Sequence, residues 1–295
     1  MTRRQLLALL VLAAIWGASF LLIEIGLRDL EPSTLMLGRV AVAALALGLY
    51  LPFAQPLRPS LAVLRRRFGA LFVLGLLNSA LPFFLIAWGQ QYVDSGLAAI
   101  LNSSAPLFTA LLAWAFVRSE RVTGLRLAGL LIGFGGVVVL VGAGPSGGGR
   151  AIGGSLAVVA AALCYACGAL FAARRLAGVS PLVLSLGAML AATLALAVPG
   201  LAQMPGELGW DSALAVLGLG VGGTALGYIL YFALILGAGA SRAILVTYLV
   251  PALALAYGVT LLDEELTAGA LAGLALVLAG VALGTGGLQR ARRQA

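Results

Sequence analysis

Ten apolar runs dominate this chain and leave it little choice of solvent. They lie near 5–27, 34–54, 68–90, 94–117, 124–142, 152–173, 181–201, 211–236, 241–262 and 267–287. A membrane-spanning helix needs about 20 mostly apolar residues, and every run approaches that length. Only 9% of the residues are charged and 62% are hydrophobic, whereas water-soluble domains carry about 25% charge. Strict alternation of polar and apolar residues is absent, which argues against a β-barrel. The expected fold is an all-α membrane protein with ten transmembrane helices. "TRRQLL" ahead of the first run loosely resembles a secretion signal. That run is longer than the ~7–15 residues of a signal core, so it reads as the first helix.

The sequence is also written twice. At an offset of 144, "ERVTGLRLAGLLIGFGGV" (120–137) overlays 264–281, with Glu120/Glu264, Thr123/Thr267, Gly129/Gly273 and Gly136/Gly280 matched. At 149, Trp16 meets Tyr165, Pro32 meets Pro181 and Gly38 meets Gly187; at 145, Pro106 meets Pro251. The third and eighth runs align less clearly. This divides the chain into a first five-helix repeat (1–143), a Gly-rich linker (144–150), a second repeat (151–289) and a basic tail (290–295). Five spans is an odd number, so the second repeat is expected to enter the membrane inverted.

Arginine supplies the orientation, because all 18 basic residues are arginines. With a cytoplasmic N-terminus, 15 of them fall in cytoplasmic segments, Arg28 and Arg150 fall outside, and Arg39 lies within a run. Such an excess marks the cytoplasmic face, so both termini are expected there, in a plasma (inner) membrane. The three arginines around the first repeat's Glu120 (Arg118, Arg121, Arg126) become Leu262, Glu265 and Ala270 around Glu264. One ancestral helix pair thus carries opposite faces. The net charge of +8 reflects this topology and anionic headgroups rather than a nucleic-acid partner.

Chemistry is narrowed by what the composition lacks. With no histidine, Cys164 and Cys167 have no further soft ligands for a tetrahedral metal site; they read as small packing residues. Lysine is missing too, and with it the phosphate-binding loop of ATP-driven machines. No catalytic residue, metal or cofactor is expected. A secondary transporter of small molecules, monomeric and embedded in lipid, fits better than a membrane enzyme or a structural protein.

"AAIWGASFLLIEIGL", "EPSTLMLGRVAVAAL" and the turns bearing Glu120 and Thr123, then Glu264 and Thr267, together resemble the EamA-type drug/metabolite transporter family, over nearly the whole chain. The resemblance implies a ten-helix bundle that exports small metabolites, commonly amino acids and in some branches aromatic ones. It also implies a central cavity bounded by helices 1, 3, 4, 6, 8 and 9. Arg39 matches an arginine typical of the family's second helix, while Glu24 matches no family feature.

Glu24 and Arg39 are the formal charges well inside the hydrocarbon. An isolated charge there costs at least ~2.5 kcal/mol. The two stand at similar depth on neighbouring helices, and both positions become alanine (Ala173, Ala188) in the second repeat. A structural salt bridge is expected, with proton or substrate coupling by Glu24 as the alternative. Thr224, Tyr228 and Tyr231 share one helical face, as do Ser95, Asn102 and Thr109. Thr247 is the repeat partner of Asn102, and Tyr165 that of Trp16. With Ser19, Asn78, Ser103 and Tyr248, these groups either hydrogen-bond between helices, at ~0.6 kcal/mol each, or line a polar cavity. As a set they are expected to border the substrate, since lipid-facing polar stripes are costly. Pro106 and Pro251 each remove a helix hydrogen bond and are candidate gating pivots.

Overall fold

The computed structural model describes residues 1–116, 124–142, 148–243 and 245–284. The regular structure among them is entirely helical. In order it comprises α1 (Arg3–Gly26), α2 (Pro32–Ala54), α3 (Leu57–Arg66), α4 (Phe68–Gln90), α5 (Ser95–Phe116), α6 (Leu125–Gly142), α7 (Gly148–Arg175), α8 (Pro181–Ala202), α9 (Trp210–Ala238), α10 (Val246–Leu261) and α11 (Ala268–Gly284). Seven of these (α1, α2, α4, α5, α7, α8 and α9) are long and apolar enough to cross a membrane, and α6, α10 and α11 are shorter apolar helices. The Glu120 loop, most of the linker and the basic tail lie outside the described residues.

Local chemistry places the helix ends. Thr2 and Gln5 form a reciprocal capping box at the start of α1. Pro32 and Pro181 open α2 and α8, where a missing N–H is harmless. Most expected boundaries agree with the structure to within a few residues. Two differ. Arg58, Arg65 and Arg66 belong to the short basic helix α3, which falls between apolar runs. The ninth run is broken into a four-residue helix at Ala240–Ala243 and α10. Inside α5, Ser103 and Ser104 leave the helix one turn ahead of Pro106. Their hydroxyls donate to the Ile100 and Leu101 carbonyls at 2.6 Å each, so the break stays hydrogen-bonded without water.

Glycine contacts link the halves in matched pairs. A Cβ built on Gly38 would sit 2.8 Å from Val216, and one on Gly187 2.8 Å from Leu71. A Cβ on Gly220 would meet Val42 at 2.5 Å and the Arg39 carbonyl at 3.0 Å. On Gly75 it would meet Ala191 at 2.6 Å and the Ala188 carbonyl at 2.6 Å. Shifting 38, 39 and 42 by 149 gives 187, 188 and 191; shifting 71 and 75 by 145 gives 216 and 220. The α2–α9 crossing is therefore repeated as the α8–α4 crossing. This supplies the register of the third and eighth runs that residue identity leaves unclear. The π-helical segments obey it too: Leu76–Ala80 in α4 maps into Gly218–Leu226 in α9.

α6 and α11 cross on the same plan. Gly133 backs onto Gly280, while Gly136 packs against Val277; a shift of 144 exchanges one pair for the other. Small residues there let the backbones approach directly, as membrane helix pairs require. A side chain on Gly280 would run into the Gly133 backbone, whereas Gly135 has nothing within 4 Å. Gly280→Val is expected to destabilise by about 1–3 kcal/mol and Gly135→Val by under ~0.5 kcal/mol, read as thermal unfolding midpoints in detergent.

Candidate functional site

Two cavities stack along the bundle. The inner one, about 700 Å³, is walled by Trp16, Ser19, Phe20 and Ile23 of α1, Arg39 of α2 and Asn78, Phe83 and Ile86 of α4. Ala99, Asn102, Ser103, Pro106 and Thr109 of α5, Tyr165 of α7, Gly223, Tyr228 and Tyr231 of α9, and Thr247, Val250 and Pro251 complete it. Nine of the eleven substrate-binding candidates from sequence thus face one space. Thr224 is fully buried behind the wall, and Tyr248 packs on the apolar core. Phe20, Ile23, Phe83 and Ile86 were not anticipated, because an apolar wall residue looks like any other core residue in sequence. Cys164 and Cys167 are half-buried free thiols off the cavity.

The π-helical turn of α9 positions the polar end of this cavity. The Thr224 hydroxyl donates to the Leu219 carbonyl at 2.9 Å, and its oxygen accepts from Arg39 Nε at 3.0 Å. The Arg39 guanidinium carbon lies 3.8 Å from the Phe83 ring centroid, within cation–π range. Trp16 Nε1 donates to the Gly223 carbonyl at 3.1 Å, and its ring lies 5.3 Å from Tyr231. A Cβ on Gly227 would reach Trp16 Nε1 at 2.5 Å, so glycine there admits the indole. Asn102 Oδ1 is buried without a partner.

The expected Glu24–Arg39 salt bridge is not formed. Arg39 turns into the inner cavity, and no carboxylate lies within 4 Å of it among the described residues. Glu24 instead lines the second cavity. Counting residues from a helix end fixes depth but not azimuth, and these two side chains leave their helices in different directions.

That second cavity, about 820 Å³, is bounded by Glu24, Arg28, Gln90, Tyr92, Asp94, Leu97, Leu255, Asp263, Glu264 and Glu265, among others. Glu264 accepts from the backbone N–H groups of Ser95 at 2.8 Å and Gly96 at 3.1 Å. It therefore caps α5 from the α10–α11 loop, a charge-assisted contact with the positive end of the helix. Gly258 leaves the space its carboxylate occupies. Repetition of this glutamate at 120 and 264 is the signal that exposes the cap in sequence. Lost hydration and the neighbouring Glu264 and Glu265 carboxylates raise the Asp94 pKa above the usual aspartate value.

Residues 3–142 and 152–285, one segment per half, match the EamA-like transporter family. The chain belongs to that family. It is a multi-pass membrane protein, and its relatives are transporters. A Salmonella typhimurium protein named "Probable amino-acid metabolite efflux pump" is 30% identical over 306 residues, covering 100% of this chain and 99% of the relative. An uncharacterized transporter of Archaeoglobus fulgidus is 29% identical over 285 residues, 94% and 97% of the two chains. A solved crystal structure superposes at TM-score 0.68 and 21% identity over the full length of both chains, which shows the shared fold. Within this EamA-family chain, Glu264→Ala is expected to cost about 1–2 kcal/mol of stability, the scale of a lost N-terminal cap. Glu264→Gln, which keeps an acceptor, costs less; thermal unfolding of the purified variants checks the order.

Proposed function

We propose that this protein is a secondary exporter of amino acids or closely related metabolites, with Arg39 as the anchor for the substrate carboxylate. The observation that carries the reading is a buried guanidinium, 7% exposed, on a cavity wall with no carboxylate opposite among the described residues. A charge in that setting is costly without a partner, and a guanidinium is built for two parallel hydrogen bonds to a carboxylate. Its Nε is already held by Thr224, which leaves the terminal nitrogens for the ligand. Trp16, Phe20, Phe83, Tyr165, Tyr228 and Tyr231 surround the space and suit an apolar or aromatic side chain by stacking. The name of the Salmonella relative points the same way.

Transport by this route is alternating access in a ten-span bundle of two inverted repeats, with termini cytoplasmic in an inner membrane. The reciprocal α2–α9 and α8–α4 crossings support it, because equivalent contacts let each half adopt the other's conformation. The break ahead of Pro106 and the buried Pro251 are pivots in this scheme. The arginine distribution supports the orientation.

Two experiments test the proposal. In liposomes, counterflow of labelled apolar and aromatic amino acids is expected to fall at least about tenfold in Arg39→Gln, the loss of roughly one charge-assisted hydrogen-bond pair. Undiminished exchange would remove Arg39 from the site. For topology, single cysteines at the repeat-equivalent positions Arg58 and Glu207, in a background lacking Cys164 and Cys167, are expected to label from opposite sides of the membrane. Same-side labelling contradicts the inverted arrangement.

A further inference from the structure

The outer acidic cavity has its own unfilled chemistry. Five carboxylates border it, those of Glu24, Asp94, Asp263, Glu264 and Glu265, against the single guanidinium of Arg28. Charge alone would make it an electrostatic funnel, but two buried acceptors make it more specific. Glu24 Oε2 is shielded from solvent and makes no hydrogen bond, while the Gln90 side chain stands beside the same carboxyl. Gln90 is only 3% exposed, and its Oε1 likewise has no partner. The Gln90 amide has a fixed sense: Nε2 donates to the Phe20 carbonyl at 3.0 Å. Flipping it would set two oxygens against each other, so Oε1 stays an acceptor, on a side chain that lines the cavity. Each buried acceptor left empty keeps the penalty of its lost hydration.

We propose that this cavity is a second binding site, selective for the primary ammonium group of a solute, with Glu24 Oε2 and Gln90 Oε1 as its acceptors. An ammonium carries three N–H donors and no acceptor, which complements two orphan oxygens in a negative field. A divalent metal fits less well, since no group of three or more metal-ligating side chains is assembled among the described residues. The site is adjacent to the inner cavity. Ile23 and Glu24 are neighbours in α1, Ile86 and Gln90 lie one turn apart in α4, and Pro251 and Leu255 lie one turn apart in α10; in each pair the first residue lines the inner cavity and the second the outer. Resting on the amino-acid reading above, an outgoing substrate held by its carboxylate at Arg39 would meet this site with its amino group.

The test is binding, so that it stands apart from transport. n-Butylammonium, tetramethylammonium and sodium chlorides are titrated into the full-length protein in nanodiscs at fixed ionic strength, with saturation-transfer NMR or calorimetry as readout. n-Butylammonium is expected to saturate, with tetramethylammonium, which has no N–H, at least about tenfold weaker. Glu24→Gln should weaken n-butylammonium at least about tenfold, and the exposed Arg28→Gln should tighten it by roughly two- to threefold. The Arg28 variant moves the affinity in the opposite direction, so a loss of folding cannot imitate it. Equal affinity for the three cations, or no response to either variant, overturns the proposal. Failure of the Arg39→Gln exchange experiment with intact n-butylammonium binding would instead sink only the carboxylate reading.

Discussion

The approach of α2 to α9 at Gly220 sets the position of the polar groups in the inner cavity. A side chain there would collide with Val42 and the Arg39 carbonyl; without one, the helices close until Arg39 Nε reaches Thr224. Hydrocarbon offers no hydrophobic drive for this association, so it depends on close packing and interhelical hydrogen bonds. The π-helical segment of α9 contributes the second element. Its wider turn lets Thr224 hydroxyl bond the carbonyl five residues back, leaving the oxygen lone pair for the guanidinium. A π-bulge of this kind is often found at functional sites.

Repeat symmetry makes the missing half of this arrangement informative. Gly75, Ser79 and Ala188 stand where the symmetry places Gly220, Thr224 and Arg39. The backbones meet at the same separation scale, and a hydroxyl is again present on the bulge. Opposite it is a methyl group, and Ser79 Oγ is buried with no partner. The duplicated scaffold thus carries its cation on one side of the pseudo-axis only. A symmetric pair of arginines would put two like charges into one low-dielectric cavity, each raising the cost of the other. Breaking the symmetry gives the cavity one charged pole and an aromatic remainder.

The apolar helices were legible in sequence because length and hydropathy reveal them, seven of them long enough to cross a membrane and three shorter. So was the inward set of polar residues, because hydroxyls and amides facing lipid would be expensive. The third and eighth runs align less clearly by eye: at an offset of 145 Leu74/Leu219, Gly75/Gly220 and Ala80/Ala225 are identical, but the residues between them, such as Leu71 for Val216 and Asn78 for Gly223, differ in size and polarity. Their π-bulges also break the 3.6-residue pattern that alignment by eye relies on. The Glu24–Arg39 pairing failed for a related reason. Depth is a one-dimensional quantity, and the joint replacement by Ala173 and Ala188 fits two independent sites as well as one shared bond. Arg39 found its partners in Thr224 and Phe83, a hydroxyl and a ring face that give no charge signal in sequence.

Separation of Glu24 from Arg39 has a physical consequence for traffic through the bundle. Were they bonded to each other, each would neutralise the other and neither would attract a solute, since a buried pair that satisfies itself leaves little field. Held apart, they divide a cation and an anion between two cavities about one helical turn apart. In the proposed reading, a zwitterion passing between them would exchange one electrostatic partner for the other rather than surrender both to hydrocarbon. In that reading the apolar lining residues Phe20, Ile23, Ile86 and Ala99 would exclude water and would not need to hold charge.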